Sequence, residues 1–206
     1  MKVLLINGSP HEKGCTYTAL SLIAGELKAQ GIETEILHVG GQPVGGCIGC
    51  GGCRSGNGCV FGGVVNEAIE KAKTADAFVF GSPVHYASAA GNMASFMDRL
   101  AYAGGKYLAY KPAAVCCSAR RAGTTSTLDQ LVKYPQFFHM PLVNGAYGAM
   151  VHGSNPEQVL QDAEGCAVMQ ELGRNMAWLL RCIEAGKAAG IDHPQNPPRP
   201  MTNFIR

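Results

Sequence analysis

The chain has 206 residues, of which 47% are hydrophobic and 16% charged, and this fits one globular domain with a sizeable core. Its net charge of +2 and pI of about 8.1, without a basic stripe that contains aromatic residues, argue against a nucleic-acid partner. No apolar stretch approaches the ~18 residues of a membrane span and the first apolar run is too short for a signal peptide, so we expect a cytoplasmic protein with reduced thiols, no disulfide knot and no membrane partner.

Five short apolar segments have the length and composition of buried strands. They lie at 3–6, 33–39, 77–80, 113–117 and 142–147. Their apolar residues do not alternate with polar ones, which is typical of a parallel sheet covered on both faces.

Between these segments, apolar residues recur at helical spacing. The predicted helices cover 17–30, 64–73, 91–103 and 125–132. A long last helix is predicted to start with Asn155 as its cap and Pro156 at its first position, with apolar positions that continue to residue 183. The segment 191–206 is too rich in proline to be helical, and we expect an extended arm there.

The alternation of strands and helices predicts a doubly wound α/β domain over residues 1–190, with a parallel sheet between two layers of helices (α/β/α). In this architecture ligands bind beyond the carboxyl ends of the strands, where the strand order reverses. The loops after the first, third and fourth strands are therefore the candidate binding loops.

The loop NGSPHEKGCT joins the first strand to the first helix. A helix N-terminus offers unpaired N–H groups and partial positive charge, and Ser9, Gly14 and Thr16 add two hydroxyls and a close turn. The loop lacks the Gly-Lys-Ser/Thr of a Walker loop and the G-x-G-x-x-G of a dinucleotide clamp. It therefore suits a single phosphate, and a plain capped turn is the alternative interpretation.

Three loops taken together resemble one known family. GSP-x-x-x-G-x-T after the first strand, GSPVHYASAAGNMASFMDR after the third and SARRAGTTSTLDQL after the fourth are similar to the NADPH-dependent FMN reductases of the flavodoxin-like fold. The resemblance extends to about residue 185. It implies a five-stranded parallel sheet of order 2-1-3-4-5, with FMN along its carboxyl edge.

By position, the resemblance implies three groups of FMN-binding residues. Those around the phosphate are Ser9, His11, Cys15 and Thr16. Those that line the isoalloxazine ring are Pro83, Val84, His85 and Tyr86. Those on the far side of the ring are Ser118, Arg120, Arg121, Gly123 and Thr124. No catalytic side chain is expected, because the flavin carries the redox chemistry.

Some of these positions depart from the family pattern or admit a second interpretation. Many relatives carry Arg where His11 stands and Asn or Ser where Cys15 stands, and we expect Cys15 to be a packing residue. Arg120 and Arg121 would stabilise an anionic reduced flavin or bind a nicotinamide nucleotide phosphate, the alternative being a solvated pair at a helix start. The pair at 98–99, Asp-Arg, is interpreted as a surface or helix-pairing motif.

The segment GGCIGCGGCRSGNGCV, which follows the second strand, contains four cysteines. Zinc sites usually have two C-x-x-C pairs about 12–20 residues apart, whereas Cys47, Cys50 and Cys53 step by three and Cys59 follows. Stepped cysteines let one loop reach three corners of a cubane cluster. The spacing is similar to that of iron–sulfur flavoproteins of the same fold, and a [4Fe-4S] cluster, a loop of free thiols and a zinc site all remain open.

The resemblance implies an FMN-dependent oxidoreductase that takes hydride from NAD(P)H and reduces a small-molecule acceptor such as free flavin or a quinone. The alternative is an iron–sulfur flavoprotein that carries electrons between FMN, a [4Fe-4S] cluster and ferredoxin-like partners. A zinc-stabilised binding module without flavin is the third interpretation. The family expectation is a homodimer or homotetramer, and we expect the arm to pack across a neighbouring subunit, because Met201, Phe204 and Ile205 would otherwise be exposed.

Overall fold

The computed structural model describes residues 1–198, 200 and 202. Its strands are β1 (Lys2–Asn7), β2 (Glu33–His38), β3 (Ala77–His85), β4 (Ser88–Ala89), β5 (Ala113–Ala119) and β6 (Met150–His152). Its α-helices are α1 (Cys15–Ala29), α2 (Val64–Thr74), α3 (Gly91–Gly104), α4 (Thr124–Phe137), α5 (Pro156–Gln161) and α6 (Ala163–Ala188). Short 3-10 helices occupy Gly52–Ser55 and Gly105–Tyr107.

The sheet has the order β2-β1-β3-β5-β6, and every pair along this path is parallel. Counted along the chain, the parallel strands have the order 2-1-3-4-5, so the predicted flavodoxin-like topology is confirmed. The two-residue strand β4 is an addition that pairs antiparallel with the end of β3.

Helices cover both faces of the sheet, which explains why its strands are continuous apolar runs. Along β1, Val3 and Leu5 belong to the core beneath α1 and α6. The alternate residues Leu4 and Ile6 belong to the core beneath α2 and α3. Both faces of β1 are thus buried. Because the paired strands are parallel, their carboxyl ends lie along the same edge of the sheet.

The fifth parallel strand lies later in the chain than predicted. The segment 142–147 makes only an isolated bridge, between Leu142 and Ala113, and the strand itself is Met150–His152, beside the end of β5. The chain turns outward in between, where Tyr147 and Gly148 have φ values of +67° and +106°. The sequence NGAYG at 144–148 contains two glycines and an asparagine, which favour turns. A turn therefore forms there in place of strand pairing with β5.

The predicted long last helix is two helices. Asn155 caps α5 as predicted, since its Oδ1 accepts a hydrogen bond from the Gln158 N–H at 2.9 Å. The helix then stops at Asp162, whose carboxylate accepts from the Gly165 N–H at 3.0 Å and from the His152 N–H at 2.7 Å. The side chain of Asp162 therefore caps α6 and ties it to the end of β6.

Two residues in the described part of the C-terminal arm contact Tyr110 of their own chain, although the described arm is exposed. The His193 ring stacks on the Tyr110 ring with centroids 4.4 Å apart, and the Asn196 amide donates to the Tyr110 hydroxyl at 2.6 Å. Met201, Phe204 and Ile205, on which the predicted subunit contact depends, lie outside the described residues. Within the described chain, no helix is long and apolar enough to cross a bilayer.

Candidate functional site

The loop after β1 is folded by its own polar side chains. Asn7 is buried, its Oδ1 accepts from the Ser9 N–H at 3.1 Å, and its Nδ2 donates to the Glu12 carbonyl at 2.9 Å. The Ser9 hydroxyl in turn accepts from the His11 N–H at 3.1 Å. Residues 8–14, which we call the phosphate loop, therefore form a fixed turn at the carboxyl edge, with the His11 side chain exposed.

The N-terminus of α1 opens onto this turn. No described side chain caps it at Gly14, and its first turn has no acidic residue. Thr16 and Ser118, both buried, join α1 to the end of β5 through a 2.8 Å hydrogen bond between their hydroxyls. Unpaired N–H groups beside two buried hydroxyls suit the phosphate of FMN.

The thiol of Cys15 is half-buried and has a hydrogen-bond partner of its own. Its Sγ donates to the Gly153 carbonyl at 3.6 Å, and its side chain packs against the core beneath α1. Burial raises the pKa of the thiol, which is therefore neutral at neutral pH.

The loop after β3 is a hairpin. Val84 pairs with Ala89 and His85 with Ser88, so that Tyr86 and Ala87 form a two-residue turn with φ values of +50° and +57°. Two positive φ values are those of a type I′ turn. The hairpin presents the rings of His85 and Tyr86 to solvent, while Pro83 and Val84 are half-buried.

The loop after β5 touches this hairpin. Gly123 has φ +93°, and a Cβ there would lie 2.6 Å from the Cα of Ala87. The Ser126 hydroxyl donates to the Ala87 carbonyl at 2.8 Å. The two predicted ring-binding loops are thus one connected unit, with Thr124 buried at the start of α4.

Arg120 and Arg121 lie on the exposed side of the same loop. In the part of the chain that the structure describes, no carboxylate lies within ion-pair distance of either guanidinium. The carboxyl edge therefore carries two exposed cations that form no ion pair within the described residues.

The segment after β2 contacts the phosphate loop directly. A ring nitrogen of His38, Nε2, lies 2.7 Å from the Ser9 carbonyl oxygen, and a Cβ at Gly40 would overlap that oxygen and lie 2.6 Å from the Gly8 carbonyl. An open cavity of about 440 Å³ lies at this junction and is lined by Glu12 and Gln42, among others.

We expect Gly40→Ala to lower the free energy of unfolding by about 1–3 kcal/mol, because the added methyl group meets two backbone carbonyls that have no room to move. Urea unfolding of the flavin-free protein measures this change. Gly45→Ala is the matched control, since no described atom lies within 4 Å of a Cβ at that position. Equal unfolding midpoints for the two variants would contradict the close packing.

The cysteine loop, residues 45–62, surrounds a cavity of about 160 Å³. All four of its cysteines line this cavity, Cys47 and Cys50 being exposed and Cys53 and Cys59 half-buried. The backbone of Cys59 is fixed to α2, because the Asn66 amide accepts from its N–H at 2.8 Å and donates to its carbonyl at 3.0 Å. Among the described residues, no three His, Cys, Asp or Glu side chains converge on a single-ion site.

Two residues of α3 hold this region. Asn92, which the sequence patterns did not single out, binds the backbone just before the loop, at residues 40, 42 and 44. Arg99, which was interpreted with its neighbour as a surface or helix-pairing motif, is only 7% exposed and binds the loop itself. Their neighbour Asp98 accepts a 2.6 Å hydrogen bond from Tyr134 on α4, which agrees with a helix-pairing role for that residue alone. A signal was present, since Arg99 stands among the apolar positions Phe96 and Leu100 of the buried helix face.

The four cysteines have the donor chemistry of a four-iron cluster, which takes thiolate ligands. Their side chains line one common cavity, on a loop with several glycines.

Comparisons with known proteins identify relatives that match nearly the whole chain. An iron–sulfur flavoprotein of Methanocaldococcus jannaschii is 28% identical over 192 residues, which are 89% of this chain and 100% of that protein. An iron–sulfur flavoprotein of Methanosarcina thermophila is 23% identical over 193 residues, which are 91% of this chain and 99% of that protein.

Solved structures share the fold at low sequence identity. RosB, in a crystal structure with 8-demethyl-8-formylriboflavin-5'-phosphate, has a TM-score of 0.68 at 14% identity, over 100% of this chain and 94% of that chain. The family model described as NADPH-dependent FMN reductase matches residues 1–155. The chain therefore belongs to the NADPH-dependent FMN reductase family.

Proposed function

We propose that this protein is an FMN-dependent oxidoreductase with a second redox centre, an iron–sulfur cluster, in its cysteine loop. The observation that carries the proposal is the cavity lined by Cys47, Cys50, Cys53 and Cys59, at the same edge of the sheet as the flavin loops. The names of the two archaeal relatives support it. FMN and a cluster, when bound, supply two-electron and one-electron chemistry respectively.

The chain's own residues would bind and orient these groups. The phosphate loop and α1 would hold the FMN phosphate, and the connected loops around Ala87 and Gly123 would hold the ring. The four cysteines would ligate the cluster as thiolates.

The surroundings of the thiol cavity suit the docking of an electron-transfer partner. Ile48, Val60, Phe61 and Tyr102 all line the cavity and are all exposed. Exposed apolar side chains that surround a redox centre exclude water when a partner docks. A ferredoxin-like protein is the partner that this interpretation requires.

Electron transfer from a reduced ferredoxin tests the proposal. The reduced ferredoxin is mixed without oxygen with the protein, and loss of the flavin's visible absorbance is followed in time. We expect flavin reduction in the wild type and at least tenfold slower reduction in Cys53→Ala, in which the cluster is lost. Equal rates in the two proteins would contradict a role for the loop in electron transfer.

Hydride transfer from NAD(P)H is a second candidate activity, which the two exposed cations favour. Arg120 and Arg121 lie on the loop proposed to hold the flavin ring, and an arginine fork suits a nucleotide phosphate. The acceptor would be a small molecule such as free flavin or a quinone.

We expect Arg120→Gln and Arg121→Gln together to raise the KM for NADPH by about tenfold or more, because a charge-assisted hydrogen bond contributes ~1.5–3 kcal/mol. Steady-state NADPH oxidation with a quinone measures this change. The control is Arg174→Gln, which removes an exposed arginine that pairs with Glu26 across α6 and α1. A KM that changes no more than in the control would rule out nucleotide binding by this pair.

A further inference from the structure

Arg99 contacts the cysteine loop at three separate places. Its Nε donates to the Sγ of Cys59 at 3.2 Å, its Nη2 donates to the Gly62 carbonyl at 3.1 Å, and its Nη1 donates to the Gly45 carbonyl at 3.5 Å. Gly45 and Gly62 are the first and last residues of the loop. One guanidinium therefore ties the two ends of the loop to each other and to one of its four sulfurs.

Among the described residues, no carboxylate compensates the charge of Arg99. The side chain is 7% exposed, and no acidic group in the described part of the chain forms an ion pair with it. The adjacent Asp98 binds Tyr134 instead. The guanidinium carbon of Arg99 also lies 5.6 Å from the centre of the Phe61 ring. The face of an aromatic ring compensates a full positive charge only in part.

A buried cation without an anion is costly, and the loss of solvation is not recovered from carbonyl groups alone. Of the three groups that accept its hydrogen bonds, only the sulfur of Cys59 is able to carry a full negative charge. The positive charge of Arg99 is therefore compensated only when the loop sulfurs are anionic, as they are when they ligate a metal.

A second residue of α3 extends this contact. Asn92 precedes Arg99 by seven residues, about two turns, so both lie on one face of the helix. Its Nδ2 donates to the carbonyls of Gly40 and Gln42 at 3.2 and 3.0 Å, and its Oδ1 accepts from the Val44 N–H at 3.2 Å. One face of α3 thus holds the chain from its exit from β2 to the start of the cysteine loop.

We infer that Arg99 is the positioning residue and the counter-cation of the cysteine loop: it fixes both ends of the loop, with Asn92 holding the approach to it, and it compensates the negative charge of the ligating sulfurs. This inference rests on the proposed function, because the anion it requires is the thiolate cluster. A cation and an N–H donor beside a ligating sulfur favour the reduced, more negative state of a cluster. Arg99 therefore affects both the order of the loop and its redox potential.

Three variants separate these two roles. Arg99→Gln removes the charge and most of the donors, Arg99→Lys keeps the charge but loses the planar fork, and Arg54→Gln removes an exposed arginine of the same loop. Arg54 also lines the cavity, but no hydrogen bond from its side chain is seen within the described residues. It is the charge-matched control.

The first measurement is amide hydrogen exchange over residues 40–62 in the cluster-free protein. We expect exchange about tenfold faster or more in both Arg99→Gln and Arg99→Lys, and near wild-type exchange in Arg54→Gln. Wild-type exchange in Arg99→Gln would overturn the positioning role. Because this comparison needs no cluster, it decides that role whether or not the wild-type protein binds iron. If Arg99→Gln does not fold, as judged by FMN content, Arg99→Lys and Asn92→Ala give the same comparison.

The second measurement is the midpoint potential of the reconstituted cluster. We expect a lower potential in Arg99→Gln than in the wild type, because loss of a nearby buried cation disfavours the gain of an electron. Arg99→Lys should stay closer to the wild-type potential, and Arg54→Gln should change less than Arg99→Gln since water screens its charge. Equal potentials in Arg99→Gln and the wild type would overturn the counter-cation role, while an iron-free wild type would instead overturn the proposed function.

Discussion

Cys53→Ala protein purified without oxygen is expected to lose most of its iron and acid-labile sulfide and to keep its FMN. Cys53 is half-buried in the wall of the thiol cavity, between the exposed Cys50 and the anchored Cys59. A cluster with one thiolate ligand removed dissociates readily. In the proposed site the FMN would be held by other loops, at the ends of β1, β3 and β5, so its content should not change.

Chemical analysis of iron, sulfide and flavin per chain measures this result. Cys182→Ala is the matched control, because Cys182 is an exposed thiol on α6, outside the cysteine loop. Iron contents that are equal in the two variants would show that the loop does not hold the metal.

Gly123→Ala is expected to weaken FMN binding by at least about tenfold. A residue with a Cβ at φ +93° costs ~1–2 kcal/mol, and the new methyl group would meet the Cα of Ala87 at 2.6 Å. The loop after β5 and the hairpin must therefore move apart, which disturbs the proposed flavin site. A loss of ~1.4 kcal/mol of binding free energy corresponds to a tenfold weaker affinity.

Fluorescence titration of the flavin-free protein with FMN measures this affinity. The control is Gly25→Ala on the exposed side of α1, where no described atom lies within 4 Å of the new Cβ. Alanine there should leave FMN affinity unchanged and stabilise the helix by ~0.5–1 kcal/mol. Unchanged affinity in Gly123→Ala would show that the two loops do not act together on the flavin.

Local sequence patterns were sufficient to predict most of the fold. Apolar runs that end in Gly-Ser-Pro predicted β1 and β3, although β3 continues past Pro83 to His85. Their strand order followed from the resemblance of three loops rather than from any one element. The position of β6 was not predictable in this way, because it is set by pairing with a distant strand. In β5, Cys117 and Ser118 pair with Met150 and Val151 of β6.

The break between α5 and α6 illustrates a different limit. Helical spacing continues through Asp162, so periodicity alone predicts one helix. The helix ends there because the carboxylate of Asp162 binds the backbone N–H of His152, which is distant in sequence. Such tertiary hydrogen bonds override a local pattern.

The motifs predicted which loops lie at the carboxyl edge of the sheet, but they did not predict the side-chain hydrogen bonds that hold these loops. The loops that contain Ser9, Tyr86 and Gly123 were identified from their motifs, and their roles toward FMN remain predictions. Arg99 was interpreted with Asp98 as a surface or helix-pairing motif, whereas it is buried and binds the cysteine loop, whose path no periodicity describes.

The central claim is that FMN and a cluster in the cysteine loop are two redox centres of one protein. An anaerobic reductive titration of the purified protein, with electrons counted per FMN, tests it most directly. The account predicts uptake of about three electrons, two for the flavin and one for the cluster, with uptake of about two in Cys53→Ala. Uptake of about two electrons by the wild-type protein would contradict it.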